Sequence, residues 1–374
     1  MRALCMSLLM VLCGVLPVQA ATYYAAPSSG NTTNCSAAQN RSTPMSGLAN
    51  TIQRCMSGGD MVVALTGRYY EQIHDIIPSG SSGAPSIVKS DVTRASVIAT
   101  PNNQANYGSF FSFIIGDNTL RQWIVLDGFT IDSENTASGP MSIRSPDGVA
   151  AMSGTNNITV QNFEFLKARS LNQCSTGINL SGIFFGEVHH AHVVGNYFHD
   201  IGYDANPGAV NPTCTPPQHL YLDYGIYLHG WYALVENNEF ARNSGYPIHN
   251  YTGGIASNYN VIRNNYFHDN GAGSLLCGIG LQFYNNIEAN EGSAVSVGNY
   301  CNDSDQSQLY FNTIYNNKDA CIAIGGVSPY ASTNGIYQNN ICYGNANDNI
   351  VVGSGSTNNT VNHNIVGGTN PGVE

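Results

Sequence analysis

Positive charge is what this 374-residue chain has least of. Its lysines are Lys89, Lys167 and Lys318 alone, and 13 Lys+Arg face 24 Asp+Glu, a formal net charge of -11. Gripping DNA or RNA takes clustered Lys and Arg, so a nucleic-acid partner is not expected. Charged residues are scarce altogether, at 10%, while hydrophobic residues reach 42%. With no long like-charge block and many aromatic and β-branched residues, a disordered chain is excluded. No GxxxxGK[ST] and no strand–GxGxxG–helix unit is present for a nucleotide. No CxxC occurs, which argues against a zinc site.

What is there begins with an export signature. Arg2 supplies a positive end, Leu8 to Leu16 an apolar run too short to span a bilayer, and Val18-Gln19-Ala20 a small-residue cleavage site. Cleavage after Ala20 predicts a secreted or periplasmic protein with one domain over 21–374 and no membrane span. Beyond that point stand Cys35, Cys55, Cys174, Cys214, Cys277, Cys301, Cys321 and Cys342. An even number in an exported chain favours structural disulfides; pairing between sequence neighbours is expected, although eight cysteines allow 105 connectivities.

The strongest signal is self-similarity. VVGNYF (193–198), VENNEF (235–240), IRNNYF (262–267), LYFNTI (309–314), IYQNNI (336–341) and VNHNIV (361–366) each read apolar, two variable residues, Asn, one variable residue, apolar. QFYNNI (282–287) fits with its first position relaxed. The repeated residues are Asn196, Asn238, Asn265, Asn285, Asn312, Asn339 and Asn364, most of them 20 to 27 residues apart. One gap of 42 carries a Pro-rich insertion, 203–220. A period near 25 without helical patterning predicts a coiled stack of short parallel strands. Equivalent side chains on successive coils would lie about 4.8 Å apart, and amides at that spacing can hydrogen-bond along the whole column. Lys167, Asp200, Arg242 and Asp269, each two residues past the last apolar position, predict a structural charge column. His199 and His268, in the repeated YFHD, are then turn residues rather than a metal pair.

A second strand set is read at 225–229, 246–251, 277–282, 294–298, 321–325 and 349–353, with Ile226, Leu228, Ile248, Ile279, Leu281, Val295, Val297, Ile322, Ile324, Ile350 and Val352 facing inward. At the other end GLANTIQRC (47–55) predicts a short helix within a cap spanning about 21–60, which a repeat fold needs over its open end.

The segments TYYAAPSSG (22–30), GLANTIQRCMSGGDMVVALTGRYYE (47–71), IVLDGFTID (124–132) and the Asn coils to 366 resemble right-handed parallel β-helix proteins of the pectin-lyase-like superfamily. The resemblance implies an all-β solenoid over the whole chain after the signal. It does not fix an activity, since that superfamily includes polysaccharide lyases, uronate epimerases, glycoside hydrolases, tailspikes and non-catalytic surface proteins. The Asp-Asp and Gly-His-Gly of polygalacturonases, the Asp-His that follows Trp-Ile in the best-known pectate lyases, and the Asp-Pro-His-Glu of alginate epimerases are all missing, so no catalytic set carries over.

The candidate site is therefore read from chemistry. Aligning Ile226 with Ile248 sets Tyr227 beside His249 and His229 beside Tyr251 on an outward face, with Asp223, Gln282 and Asn179 extending the row. β-Elimination or C5 epimerisation of a uronate needs carboxylate neutralisation, a base and an acid. His249 is the expected base, Tyr251 the acid, His229 the carboxylate partner or alternate base, and Asp223 a residue that orients a histidine or holds a cation. Tyr227 or Trp231 would stack on the sugar chain. The expected partner is an acidic polysaccharide, met by a monomer. Two other readings stand beside this one: a non-catalytic carbohydrate-binding or cell-surface protein, and a glycoside hydrolase, for which Asp223 lacks a second carboxyl across the groove unless Asp204 swings in. No cofactor is required, though calcium is a candidate at Asn302-Asp303-Ser304-Asp305, a run that also reads as a polar turn.

Overall fold

The computed structural model describes residues 20–28, 30–99, 111–133, 139–147, 149, 151–168, 181–202, 210–211, 218–219, 223–251, 257–299, 301, 304–326, 330–347 and 350–367. The predicted export signal, Asn179, Cys174, Cys214, Asn302, Asp303 and most of the insertion lie outside these residues. Within the insertion, Val210–Asn211 and Gln218–His219 pair antiparallel.

Three parallel sheets of fifteen, eleven and ten strands, here A, B and C, wrap the main core, with a small separate cluster of Leu275, Cys277 and Cys301. One coil shows the plan: Leu234–Glu236 in sheet A, Glu239–Ala241 in B, Ile248–Asn250 in C, then Val261–Arg263 in A again. Short strands stack in register because every coil offers the next the same apolar positions. Val193, Val235, Ile262, Phe283, Leu309 and Tyr337 form one inward column on sheet A. On sheet B, Phe165, Phe198, Phe240 and Phe267 stack with centroids 4.6, 4.7 and 5.0 Å apart. These four rings are fully buried, and each takes a large apolar area out of water.

The corner between sheets A and B explains the asparagine repeat. A residue with positive φ turns the chain, and the next residue, an asparagine, accepts the backbone N–H and the Nδ2–H of the rung before it. The ladder runs Asn196, Asn238, Asn265, Asn286, Asn312, Asn340, Asn364, with Nδ2–Oδ1 distances of 2.9–3.2 Å. Asn285 and Asn339 were expected in this column and are not; they are the turning residues, with φ of 53° and 57°. The six-residue pattern slipped by one in those coils for a physical reason. The inward residues there are Phe283 with Glu288 and Tyr337 with Cys342, and a carboxylate was not expected at an apolar position.

A second ladder at the corner after sheet B comprises Asn243, Asn270, Glu291, Asn317 and Asn345. Lys167, Asp200, Arg242 and Asp269 turn the chain at this corner in consecutive coils, all with positive φ. Arg242 donates twice to Asp200 at 3.0 Å, while Lys167 pairs instead with Asp132 at 3.5 Å. His199 and His268 end sheet B strands, each with both ring nitrogens on carboxylates. For His199, burial opposes the charge but Asp200 and Glu164 outweigh it, and the pKa rises.

The predicted cap is present. Helix α1 (Cys35–Ala38) and helix α2 (Leu48–Cys55) close the first coil, joined by a Cys35–Cys55 disulfide. Glu71 accepts from the Leu48 and Ala49 amides, satisfying the start of α2. Cys277–Cys301 and Cys321–Cys342 likewise join sequence neighbours. Among the described residues no helix is long and apolar enough to cross a membrane.

Candidate functional site

The site builds on sheet C, whose strand register places Ser142, Phe184, Tyr227, His249, Leu275, Ser296 and Ala323 in one outward row. Tyr227 aligns with His249 as expected. Two residues further along each strand, a second row holds Arg144, Gly186, His229 and Tyr251. Where the two rows meet, aromatic rings converge on one imidazole. The His249 ring lies 5.0 Å from Tyr251, 5.1 Å from Tyr224, 5.2 Å from Tyr227 and 5.8 Å from Tyr246, while His229 stands 6.4 Å from Tyr251. Phe184 extends this surface by stacking on Tyr227 at 5.3 Å.

Burial sets the electrostatics. His249 is 7% exposed, and loss of water pushes its pKa down to about 3, so the imidazole is neutral across the physiological range. Its Nδ1 is buried with no hydrogen-bond partner. Tyr224 and Tyr227 are pushed up, first by burial and then by the neighbouring tyrosines, so both stay protonated. Tyr227, His229 and Tyr251 are half-exposed and form the outer surface above the buried imidazole.

Four expected residues stand elsewhere or differently. Asp223 does not face outward: it is 1% exposed and accepts a hydrogen bond from Ser244 at 2.9 Å. Trp231 is buried at 8% exposure, aligned with His189 on sheet A, so its ring offers no open stacking face. Gln282 begins a sheet A strand. The alternation in CGIGLQ imitates a strand, but Gly278 and Gly280, with φ of 114° and 64°, turn the chain there. A Cβ on Gly280 would sit 2.7 Å from the Tyr259 ring. The sheet C strand of that coil is Leu275–Leu276, so Ile279 is half-exposed rather than a core residue. Asn179 lies outside the described residues.

Asn250, within the sequon Asn250-Tyr251-Thr252, is fully buried. Its Oδ1 accepts from Ser257 Oγ at 3.1 Å and Asn260 Nδ2 at 2.9 Å, which closes the turn and leaves no room for a glycan. The Asp305 carboxylate takes hydrogen bonds from Asn334, Thr333 and Gln306 at 2.7–2.8 Å, tying one coil to the next. No group of three or more metal-ligating side chains occurs among the described residues.

Sequence reasoning missed Tyr224, Tyr246, Phe184 and Arg144. Tyr246 was legible in YPIHNY, two residues before Ile248. Tyr224 was not, because Gly225 and Ile226 both face the core and break the alternation. Arg144 stands two strands from His229 along the second row, with Gly186 between them. It is ion-paired with Asp117, and its Nε is buried without a hydrogen-bond partner.

Comparison with known proteins agrees with this architecture. A search of curated proteins finds no match. Among solved structures, the mannuronan C-5 epimerase AlgE6 A-module of Azotobacter vinelandii superposes with a TM-score of 0.57 at 13% identity, covering 87% of this chain and 84% of that one. A rhamnogalacturonan lyase gives 0.53 at 14% identity over 94% and 88%. The alginate lyase of Paenibacillus sp. str. FPU-7 gives 0.51 at 11% identity over 91% and 99%. At these identities the likeness is one of fold. The model of the right handed beta helix region matches residues 181–374, more than half of the chain. With three parallel sheets, asparagine corners and that match together, the chain belongs to the right-handed β-helix family.

Proposed function

We propose that the protein is an exported carbohydrate-active enzyme that abstracts the C5 proton of a uronic-acid polysaccharide, leading to β-elimination or to epimerisation. The observation that carries this reading is the His249 imidazole, kept neutral by burial, with an unpartnered Nδ1 under a half-exposed surface of Tyr227, His229 and Tyr251. A buried polar atom without a partner is uncommon in a folded protein, and a substrate group is one way to complete it. His249 is the base: one of its two ring nitrogens carries no proton, and a bound uronate carboxylate beside the buried ring stabilises the imidazolium that proton transfer forms. Tyr251, which meets its ring edge to face, is the acid that protonates the leaving oxygen or the opposite sugar face. His229, and Arg144 about 9.6 Å away along the stack through the donors that its ion pair with Asp117 leaves, donate to uronate carboxylates at neighbouring positions. Phe184 and Tyr227 form the stacking floor. Mannuronan, rhamnogalacturonan and alginate appear in the names of proteins with similar folds, which supports an acidic chain as substrate.

The edge-to-face contact of His249 with Tyr251 favours one other reading, a passive sugar-binding patch whose rings simply pack. Absorbance near 235 nm, the band of an unsaturated uronate, separates the two. A rise on incubation with pectins, alginate or glycosaminoglycans, with and without calcium, that vanishes in His249→Ala would support a lyase. Epimerised product by NMR without that rise would support an epimerase. No rise, no epimerised product and no new reducing ends would leave binding alone.

A further inference from the structure

The corner between sheets A and B, on the side of the stack away from sheet C, bounds an open recess of ≈ 390 Å³. It falls within the size range of small-ligand and sugar sites. One wall is Arg94, whose guanidinium donates to the Asn162 and Gly195 carbonyls at 3.2 and 3.3 Å and so holds its place. The opposite wall is made by Tyr197, Glu239 and Tyr266, which occupy equivalent positions on consecutive strands of sheet B. Two strand spacings set the tyrosines about 9.6 Å apart, with the carboxylate between them.

Each tyrosine ring is stacked on the histidine two residues further along its own strand. The centroid distances are 4.1 Å for Tyr197 on His199 and 4.4 Å for Tyr266 on His268, with planes within 21°. One face of each ring is thereby covered, and the other looks back along the strand toward the asparagine corner and the recess. The Tyr197 ring is clamped as well: Arg242 donates to its Oη at 3.2 Å. Glu239 is held by His268 at 3.2 Å through one oxygen, with its side chain 48% exposed.

Two aromatic faces at a fixed step, each held by its stacked histidine and separated by a hydrogen-bond acceptor, make a platform for sugar rings that costs little ordering on binding. We propose that this corner is a second glycan-binding site, which takes an extended neutral β-1,4-linked chain lying parallel to the stack axis. One sugar rests on Tyr197, one on Tyr266, and the hydroxyls of the unit between them donate to Glu239. The same carboxylate disfavours a uronate at the middle position by like charge. This assignment is independent of the chemistry on sheet C.

Isothermal titration of the whole protein with cellohexaose, mannohexaose and hexagalacturonate tests it. At least one neutral hexamer should bind, at least tenfold more weakly in Tyr266→Ala, nearly unchanged in Tyr266→Phe and unchanged in His249→Ala. Glu239→Gln, an exposed isosteric change, should weaken the neutral hexamer severalfold. Binding of neither neutral hexamer would overturn the proposal. So would binding that Tyr266→Ala and Glu239→Gln leave intact, or that His249→Ala abolishes.

Discussion

Among the described residues, two ionisable side chains are buried almost completely and leave one atom without a partner, and they mean different things. On the outside of sheet C it is His249, with Nδ1 alone. Inside the coil it is Glu291, fully buried with Oε2 alone, three residues from the equally buried Glu288. Repetition supplies the control that tells them apart. At the position of Glu291 the coils on either side carry Asn270 and Asn317, so the glutamate substitutes for a ladder amide. Protonated, its Oε2–H can do what an Nδ2–H does elsewhere. At the position of His249 neighbouring strands carry Tyr227 and Leu275, and no column requires an imidazole. A deviation that preserves its column's hydrogen bonding is architecture; one that serves no column is a candidate for function.

The largest effect expected from this contrast is kinetic. His249→Ala should lower turnover of a uronate polymer by about 10²–10⁴-fold, the range of a lost general base, with the fold retained by circular dichroism. Glu291→Asn should leave turnover unchanged. Loss of activity in Glu291→Asn with the fold intact would erase the distinction.

Next in size is the ladder itself. Asn286→Ala strips the partner from both the backbone N–H and Nδ2 of Asn265, which should cost about 2–5 kcal/mol in denaturant unfolding. Asn285→Ala, one residue away, should cost only the left-handed turn, about 1–2 kcal/mol. Equal losses would mean the column is misplaced.

Smaller again, and opposite in sign, are two effects of pH on stability. Glu288 and Glu291 are pushed up by burial, and Glu291 also by the charges of Glu288 and Asp269. Above the ordinary glutamate range the unfolded chain gives up protons that the folded one retains, so stability falls as pH rises from there through the raised values. Thermal melts of a Glu288→Gln/Glu291→Asn variant should show that slope flattened. His249 works the other way: the folded imidazole refuses a proton that the unfolded chain accepts below about 6.5, so stability falls as pH drops from there toward 3. His249→Leu should flatten the acid side alone, and an unchanged acid limb would mean the imidazole is hydrated.

Much of the architecture was legible because each coil restates it. The Asn spacing gave the period, Gly47 to Cys55 gave the capping helix, and the Ile226–Ile248 alignment gave the register that sets Tyr227 against His249. Where reading failed, a local deviation was the cause. Glu288 in an apolar column shifted Asn286 to Asn285, and Gly278 and Gly280 made a turn look like a strand, which carried Gln282 onto the wrong face. The site was legible only as a pair of rows. Nothing in the string YGIYLHGW indicates that Trp231 is buried while Tyr227 is half-exposed, because that depends on where the chain leaves sheet C for sheet A.

The asparagine corner also has a direction. At each rung that another follows, the backbone N–H and one side-chain N–H are completed by the amide oxygen of the next coil, while the other side-chain N–H returns to a backbone carbonyl of the coil before. A chain emerging N-terminus first therefore ends on a rung with two donors that the next length of chain takes over from water. Growth of the stack is vectorial in that sense: every finished coil is a template whose donors specify an asparagine, in register, on the coil still to come.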